Sequence, residues 1–169
     1  MSTLALPTEI LDAAELVRFA AALADSPERW RRLVDDGGGD ARVYETIWSD
    51  EHVNAWVIRW SAHSDTGFHD HDVSASAIVV VEGAVVEERL ALTGPAVARR
   101  FGAGQFFQLS PSAIHRVRHD GGAPALTIHA YSPPLRRQGV YRTAPDGTLE
   151  RDATPYSEEL RAERGGLRG

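Results

Sequence analysis

The feature that most limits what this chain can fold into is the stretch from Arg42 to Tyr131, where short runs rich in Val, Ile, Trp, Phe and Thr alternate with Gly, Pro, Asp and Ser. That spacing is the mark of a β-sandwich or barrel. It predicts strands near 43–48, 53–61, 77–82, 84–90, 96–101, 105–109, 114–119 and 125–131. No intervening segment reads as a crossover helix, so the sheet is expected to be mostly antiparallel. Tyr141-Arg142-Thr143 and Thr148-Leu149-Glu150 flank Pro145-Asp146-Gly147, which predicts a late hairpin because Asp-Gly tolerates the positive φ of a tight turn.

Ahead of the strands, Ile10, Ala14, Val17 and Ala21 recur at helical spacing, with Thr8 placed as the cap of a first helix over 8–24. Ser26 as N-cap and Pro27 open a second helix, which the glycine run Asp36-Gly37-Gly38-Gly39-Asp40 stops. The fold class is therefore all-β: a single small β-barrel or jelly-roll domain over 42–156 with its late hairpin, an N-terminal helical segment over 1–41 packed on the barrel, and a C-terminal tail over 157–169, helical at first and then frayed. A chain of 169 residues, 43% hydrophobic, is long enough for one such core.

Composition removes whole classes of function. A formal charge of -6 with dispersed Arg argues against nucleic acid or an anionic membrane surface as partner. The absence of Cys removes disulfides, thiolate ligands, iron–sulfur clusters and cysteine nucleophiles, so any metal must be held by His, Asp or Glu. No basic leader precedes an apolar run, and no segment approaches the ~20 apolar residues of a membrane span, so a cytoplasmic location is the default expectation. Sequence leaves a monomer and a small homo-oligomer equally open.

The chemistry concentrates in two segments. In Gly67-Phe68-His69-Asp70-His71 the two His are spaced i, i+2, so on an extended backbone they point the same way and can share a metal. His115, in Ser110-Pro111-Ser112-Ala113-Ile114-His115, supplies a third nitrogen from a neighbouring strand. A lone His is most simply a hydrogen-bonded or surface residue, but a His-x-His pair with a later His in an all-β chain fits a metal centre with one open side. The remaining His52, His63 and His119 read as solvated or supporting residues. In the second segment, Thr127-Ile128-His129-Ala130-Tyr131-Ser132-Pro133-Pro134, period two puts Thr127, His129 and Tyr131 on one strand face.

The two metal segments resemble the two cupin motifs, with Glu82-Gly83 after the first and Gly104 and Pro111 before His115. Cupins usually add a carboxylate a few residues after the His pair; here those positions are Ala75 and Ser76. That three-His pattern, and the likeness of residues 127–134 to a Ser-x-His-x-Tyr-Ser-Pro-Pro run, resemble the cysteine dioxygenase family of thiol dioxygenases. The resemblance implies an Fe(II) cofactor on His69, His71 and His115, a small-molecule thiol and O2 as reactants, and Tyr131, His129 and Thr127 as a catalytic relay. The ligand types alone would equally take Zn, Ni or Cu.

Two departures stand out. Ser76 occupies the position of the Cys that animal cysteine dioxygenases crosslink to Tyr, so no thioether can form. Thr46 matches the position of the family's carboxylate-binding Arg; Arg42 shares its strand face, whereas Arg59 faces away from the side of Trp56, Ile58 and Trp60. Trp48, Trp56 and Trp60 are candidate walls for a larger thiol, so the substrate is not restricted to free cysteine. Rival readings are a three-His cupin with a non-thiol substrate and a non-catalytic metal-dependent sensor.

Overall fold

A computed structural model describes residues 6–35, 42–91 and 93–155. The expected glycine-run helix stop and the tail from 157 lie outside the described residues. Among the described residues, eleven strands follow three helical elements. They are β1 Val43–Ser49, β2 Asn54–Trp60, β3 His69–Asp70, β4 Ala75–Glu82, β5 Ala84–Arg89, β6 Val97–Gly102, β7 Phe106–Leu109, β8 His115–His119, β9 Ala125–Ser132, β10 Arg137–Thr143 and β11 Leu149–Pro155. They form two sheets, ordered β1-β2-β9-β4-β7 and β11-β10-β3-β8-β5-β6, and every strand pair is antiparallel. This is the two-sheeted antiparallel barrel expected from the strand pattern.

The first sheet is buried on both faces, which explains why β2 and β9 read as nearly continuous apolar runs rather than clean alternation. Its outer face carries Val57, Ala77, Val79, Ile128 and Ala130 against Leu16, Phe19 and Leu23 of helix α1 (Ala13–Ala24) and against Trp30 and Val34. Its inner face carries Trp56, Ile58, Trp60, Ile78 and Val80, which meet Val85, Phe107 and Val117 inside the barrel. The chemistry-bearing residues of β9 belong to that inner face.

Helix α1 starts later than expected. Asp12, not Thr8, is its cap: Asp12 Oδ1 accepts from Glu15 N at 2.8 Å and Glu15 Oε2 accepts from Asp12 N at 2.9 Å. The reciprocal pair satisfies two amides at once, which a lone Thr8 could not do. Ser26 does not cap; its hydroxyl donates back to Ala22 O at 2.9 Å. Trp30, whose Nε1 donates to Leu23 O at 2.9 Å, divides the second helical segment into a 3-10 turn Pro27–Arg29 and a short α2, Arg31–Asp35.

The late hairpin is longer than its apolar pattern suggested, because exposed Arg, Glu and Asp on β11 give no alternation to read. Gly147 has φ 87°, as the Asp-Gly turn requires. Gly83, between β4 and β5, has φ 65°, and a Cβ there would lie 2.5 Å from Pro124 O. Among the described residues no helix is long and apolar enough to cross a membrane.

Candidate metal centre

His69 opens a strand only two residues long and His71 follows just after its end, so the position of both depends on the neighbouring strands. His69 pairs with His115 on β8, and β10 pairs with His69 and Asp70 on the other side. Asp70 points away from the cluster and is the anchor. Its carboxylate accepts from Arg151 Nε and Nη2 at 2.7 and 2.9 Å, Tyr141 Oη at 2.6 Å, Gly139 N at 3.0 Å and Asp72 N at 2.9 Å. Those donors hold its pKa far below the ordinary carboxylate range against the opposing pull of burial. A Cβ at Gly139 would meet the Arg151 guanidinium, so a side chain there would displace Arg151 from Asp70.

With Asp70 facing out, His69 and His71 face in. The ligand nitrogens of His69, His71 and His115 all lie within 4.8 Å of one another, and all three residues are buried. His71 Nε2 and His115 Nε2 are 3.3 Å apart. Two imidazoles each about 2.1 Å from a common ion would place their nitrogens about 3.0–3.4 Å apart for angles between octahedral and tetrahedral, so this separation fits a shared ion. Burial drives all three imidazoles toward the neutral form that a cation requires: His69 falls to about 4, and His71 and His115 lie well below their ordinary value, each lowered further by its neighbours' charges. His69 Nδ1 has a partner in Gly67 O at 3.0 Å, which leaves its Nε2 for a metal. The Nδ1 atoms of His71 and His115 are buried without a hydrogen bond.

Beside the cluster, the Tyr131 ring packs edge-on to His71 with centroids 4.9 Å apart. Tyr131 Oη is 3.2 Å from His129 Nδ1, and His129 Nε2 is 2.9 Å from Thr127 Oγ1. The row expected from period two is thus a connected network. Sequence reasoning missed its far end, where Trp60 Nε1 donates to Thr127 Oγ1 at 2.8 Å. Burial and then the charge of Arg42 push His129 down to about 3.

Thr46 lies exposed on β1. Arg42 is brought inward: its guanidinium stands 5.5 Å from the Trp60 ring centroid, and its charge lowers His69 as well as His129. Arg59 sits on the opposite face of β2 from Ile58 and Trp60, as alternation expects. Trp48 is not a wall of the interior. A bulge between Thr46 and Trp48 breaks the alternation of β1 and turns Trp48 outward onto Phe19, with ring centroids 5.5 Å apart. His119 is a supporting residue, accepting from Gly121 N at 3.0 Å with its Nε2 2.9 Å from Ala123 O.

A family model described as cysteine dioxygenase type I matches residues 5–143. No curated protein matches the chain significantly. Solved structures similar to it include a protein from Thermus thermophilus, with TM-score 0.53 at 18% identity over 62% of this chain and 93% of that one. An uncharacterized conserved protein with a double-stranded β-helix domain from Klebsiella pneumoniae gives 0.52 at 14% identity over 61% and 80%. A protein from Bacillus halodurans gives 0.51 at 16% identity over 76% and 84%. At these identities the three share the fold.

Proposed function

The chain belongs to the cysteine dioxygenase type I family, and on that premise we propose that it is a non-haem Fe(II) thiol dioxygenase that converts a small thiol to its sulfinate with O2. The carrying observation is the convergence of three buried imidazoles, two with Nε2 atoms 3.3 Å apart, beside a tyrosine at the head of a hydrogen-bonded row. His69, His71 and His115 would hold the iron, whose chemistry is to bring thiolate and oxygen together and mediate electron transfer between them. The overall reaction, RSH + O2 giving RSO2H, balances without an external reductant.

The chain's own residues supply charge control and placement. Three neutral imidazoles add no negative charge next to an anionic thiolate, and the buried setting strengthens every remaining dipole. Trp60 Nε1 can only donate, so Thr127 Oγ1 accepts there and has its own hydrogen to give to His129 Nε2. His129, neutral because it is buried, then carries its proton on Nδ1 and donates to Tyr131 Oη. Tyr131 Oη then stands as the head of the row, beside His71, and is positioned before the reactants arrive.

Arg42 supports a substrate with a carboxylate. It brings positive charge to the Trp60 end of the row rather than to Thr46, which suits an anionic group farther from sulfur than in cysteine. Oxygen uptake and sulfinate formation, measured on iron-loaded protein with a panel of thiols, test the function. One sulfinate per O2 is expected with at least one small thiol. Iron-loaded protein that consumes no oxygen with any thiol, while binding ligands tightly, would make it a sensor instead.

A further inference from the structure

The strands that carry the cluster also bury a carboxylate that the proposed chemistry leaves unused. Glu87 on β5 is 2% exposed, and its Oε1 lies 3.9 Å from His115 Nδ1. On the same oxygen it accepts from Arg89 Nε at 3.0 Å, and Arg89 is the cross-strand partner of His115. Period two turns Val85, Glu87 and Arg89 to one face of β5, and both Val85 and Val117, the cross-strand partner of Glu87, belong to the barrel interior. The carboxylate is therefore aimed at the back of the His115 ring, while the front of that ring, Nε2, faces His71 Nε2 at 3.3 Å.

An imidazole that gives Nε2 to a metal must carry its hydrogen on Nδ1. In His115 that N–H is buried and has no hydrogen bond. A buried donor left unmade costs about 1–3 kcal/mol, and Glu87 is the acceptor the structure brings toward it. The gap of 3.9 Å exceeds a hydrogen bond by about 1 Å, a distance that a small rotation of either side chain spans once Nε2 is drawn onto an ion.

We propose that Glu87 is the positioning residue of the centre: it accepts the His115 Nδ1 hydrogen, fixes the tautomer that presents Nε2, and makes His115 the most electron-rich of the three imidazoles. The inference rests on the reading of His69, His71 and His115 as metal ligands. It makes those ligands unequal, since His69 is backed by a peptide carbonyl, His71 by no hydrogen bond and His115 by a carboxylate. The negative charge that cupins commonly place on the metal, at positions held here by Ala75 and Ser76, is instead kept one imidazole away from it. Arg89 pairs with the same carboxylate from the solvent side, where its own side chain is 43% exposed.

The test is metal affinity, read by chelator competition with Fe(II) and Co(II) under anaerobic conditions, together with the Co(II) optical spectrum. Glu87→Gln should weaken binding about 10- to 100-fold, as expected for the partner of a ligating His, and shift the Co(II) ligand-field bands. Arg89→Met breaks the ion pair and leaves Glu87 free to serve His115, so its metal affinity should stay within about twofold of wild type. A residue that merely neutralises Arg89 predicts the reverse: both variants lose thermal stability and neither changes affinity or spectrum. If Glu87→Gln does not fold, the Nδ1 proton of His115 in the zinc-loaded wild-type protein decides. A far-downfield, slowly exchanging resonance with a cross-peak to the Glu87 side chain supports the assignment, and its absence overturns it. Wild-type protein that binds neither metal would overturn the ligand triad itself, whereas tight wild-type binding matched by Glu87→Gln overturns this inference alone.

Discussion

Asp70→Asn tests how a two-residue strand can fix both His69 and the His71 that follows it. Around the Asp70 carboxylate stand Arg151 Nε and Nη2, Tyr141 Oη and the amides of Gly139 and Asp72, all able to donate to it. An Asn side chain presents one acceptor oxygen and one NH2, so at least one of these donors would meet another donor, and the Arg151 charge would lose its partner. Breaking a fully buried pair costs about 3–5 kcal/mol. Arg151 is 36% exposed and can recover some hydration, which brings the expected loss to about 3 kcal/mol. For a chain of this size that lowers Tm by about 6–12 °C. Urea unfolding of the metal-free protein measures it directly, with Tyr141→Phe as a milder control of about 1 kcal/mol. Because Asp70 lies between His69 and His71 in sequence, metal affinity should also fall at least tenfold in Asp70→Asn. A stability loss under 1 kcal/mol with unchanged affinity would refute the anchoring role.

Three further outcomes follow. Tyr131→Phe should retain iron and most of the stability while slowing turnover about 10- to 1000-fold under conditions where chemistry limits, and His129 substitutions should have a smaller effect; an unchanged rate would assign Tyr131 to packing. In a comparison of kcat/KM for L-cysteine, cysteamine, 3-mercaptopropionate and a bulkier thiol, L-cysteine should rank below 3-mercaptopropionate, and Arg42→Met should cost carboxylate-bearing thiols about 10- to 100-fold while sparing cysteamine. L-cysteine turning over best, at about 10⁴ M⁻¹s⁻¹ or more, would show that the exposed Thr46 does not mark a lost anchor. The metal-free protein should weaken in acid: His129 and His69 titrate near 3 and 4 when folded but near 6.5 when unfolded, so the unfolded state binds more protons between those values. Each then forfeits on the order of 3 kcal/mol as pH falls from 6.5 to 4, together comparable to a typical total stability, and circular dichroism should show unfolding in that window rather than a flat profile.

The strand pattern made the barrel legible because buried β-strands leave apolar runs that turn residues must interrupt, and the inner-face row of Thr127, His129 and Tyr131 followed from period two alone. What was hidden depends on contacts far apart in sequence. Thr8 looked like a cap until Asp12 and Glu15 formed a reciprocal pair. Trp48 looked like an interior wall until a bulge, invisible in composition, reversed its face. Asp70 carried a usable signal: a charged residue alternating with two inward His must face the other side, and a charge there needs partners. Glu87 carried none, and Trp60, read as a wall, gave no sign of its bond to Thr127, because only the pairing of β5 with β8 and of β2 with β9 sets those contacts.

The most direct test of the whole account is anaerobic Fe(II) binding to the wild-type protein and to His69→Ala, His71→Ala and His115→Ala, each checked for fold by circular dichroism. Wild type should take up one iron per chain, and each variant should remain folded yet fail to hold iron against a competing chelator. A folded variant that keeps full iron content would show that its missing His is not a ligand, and the centre described here would be wrong.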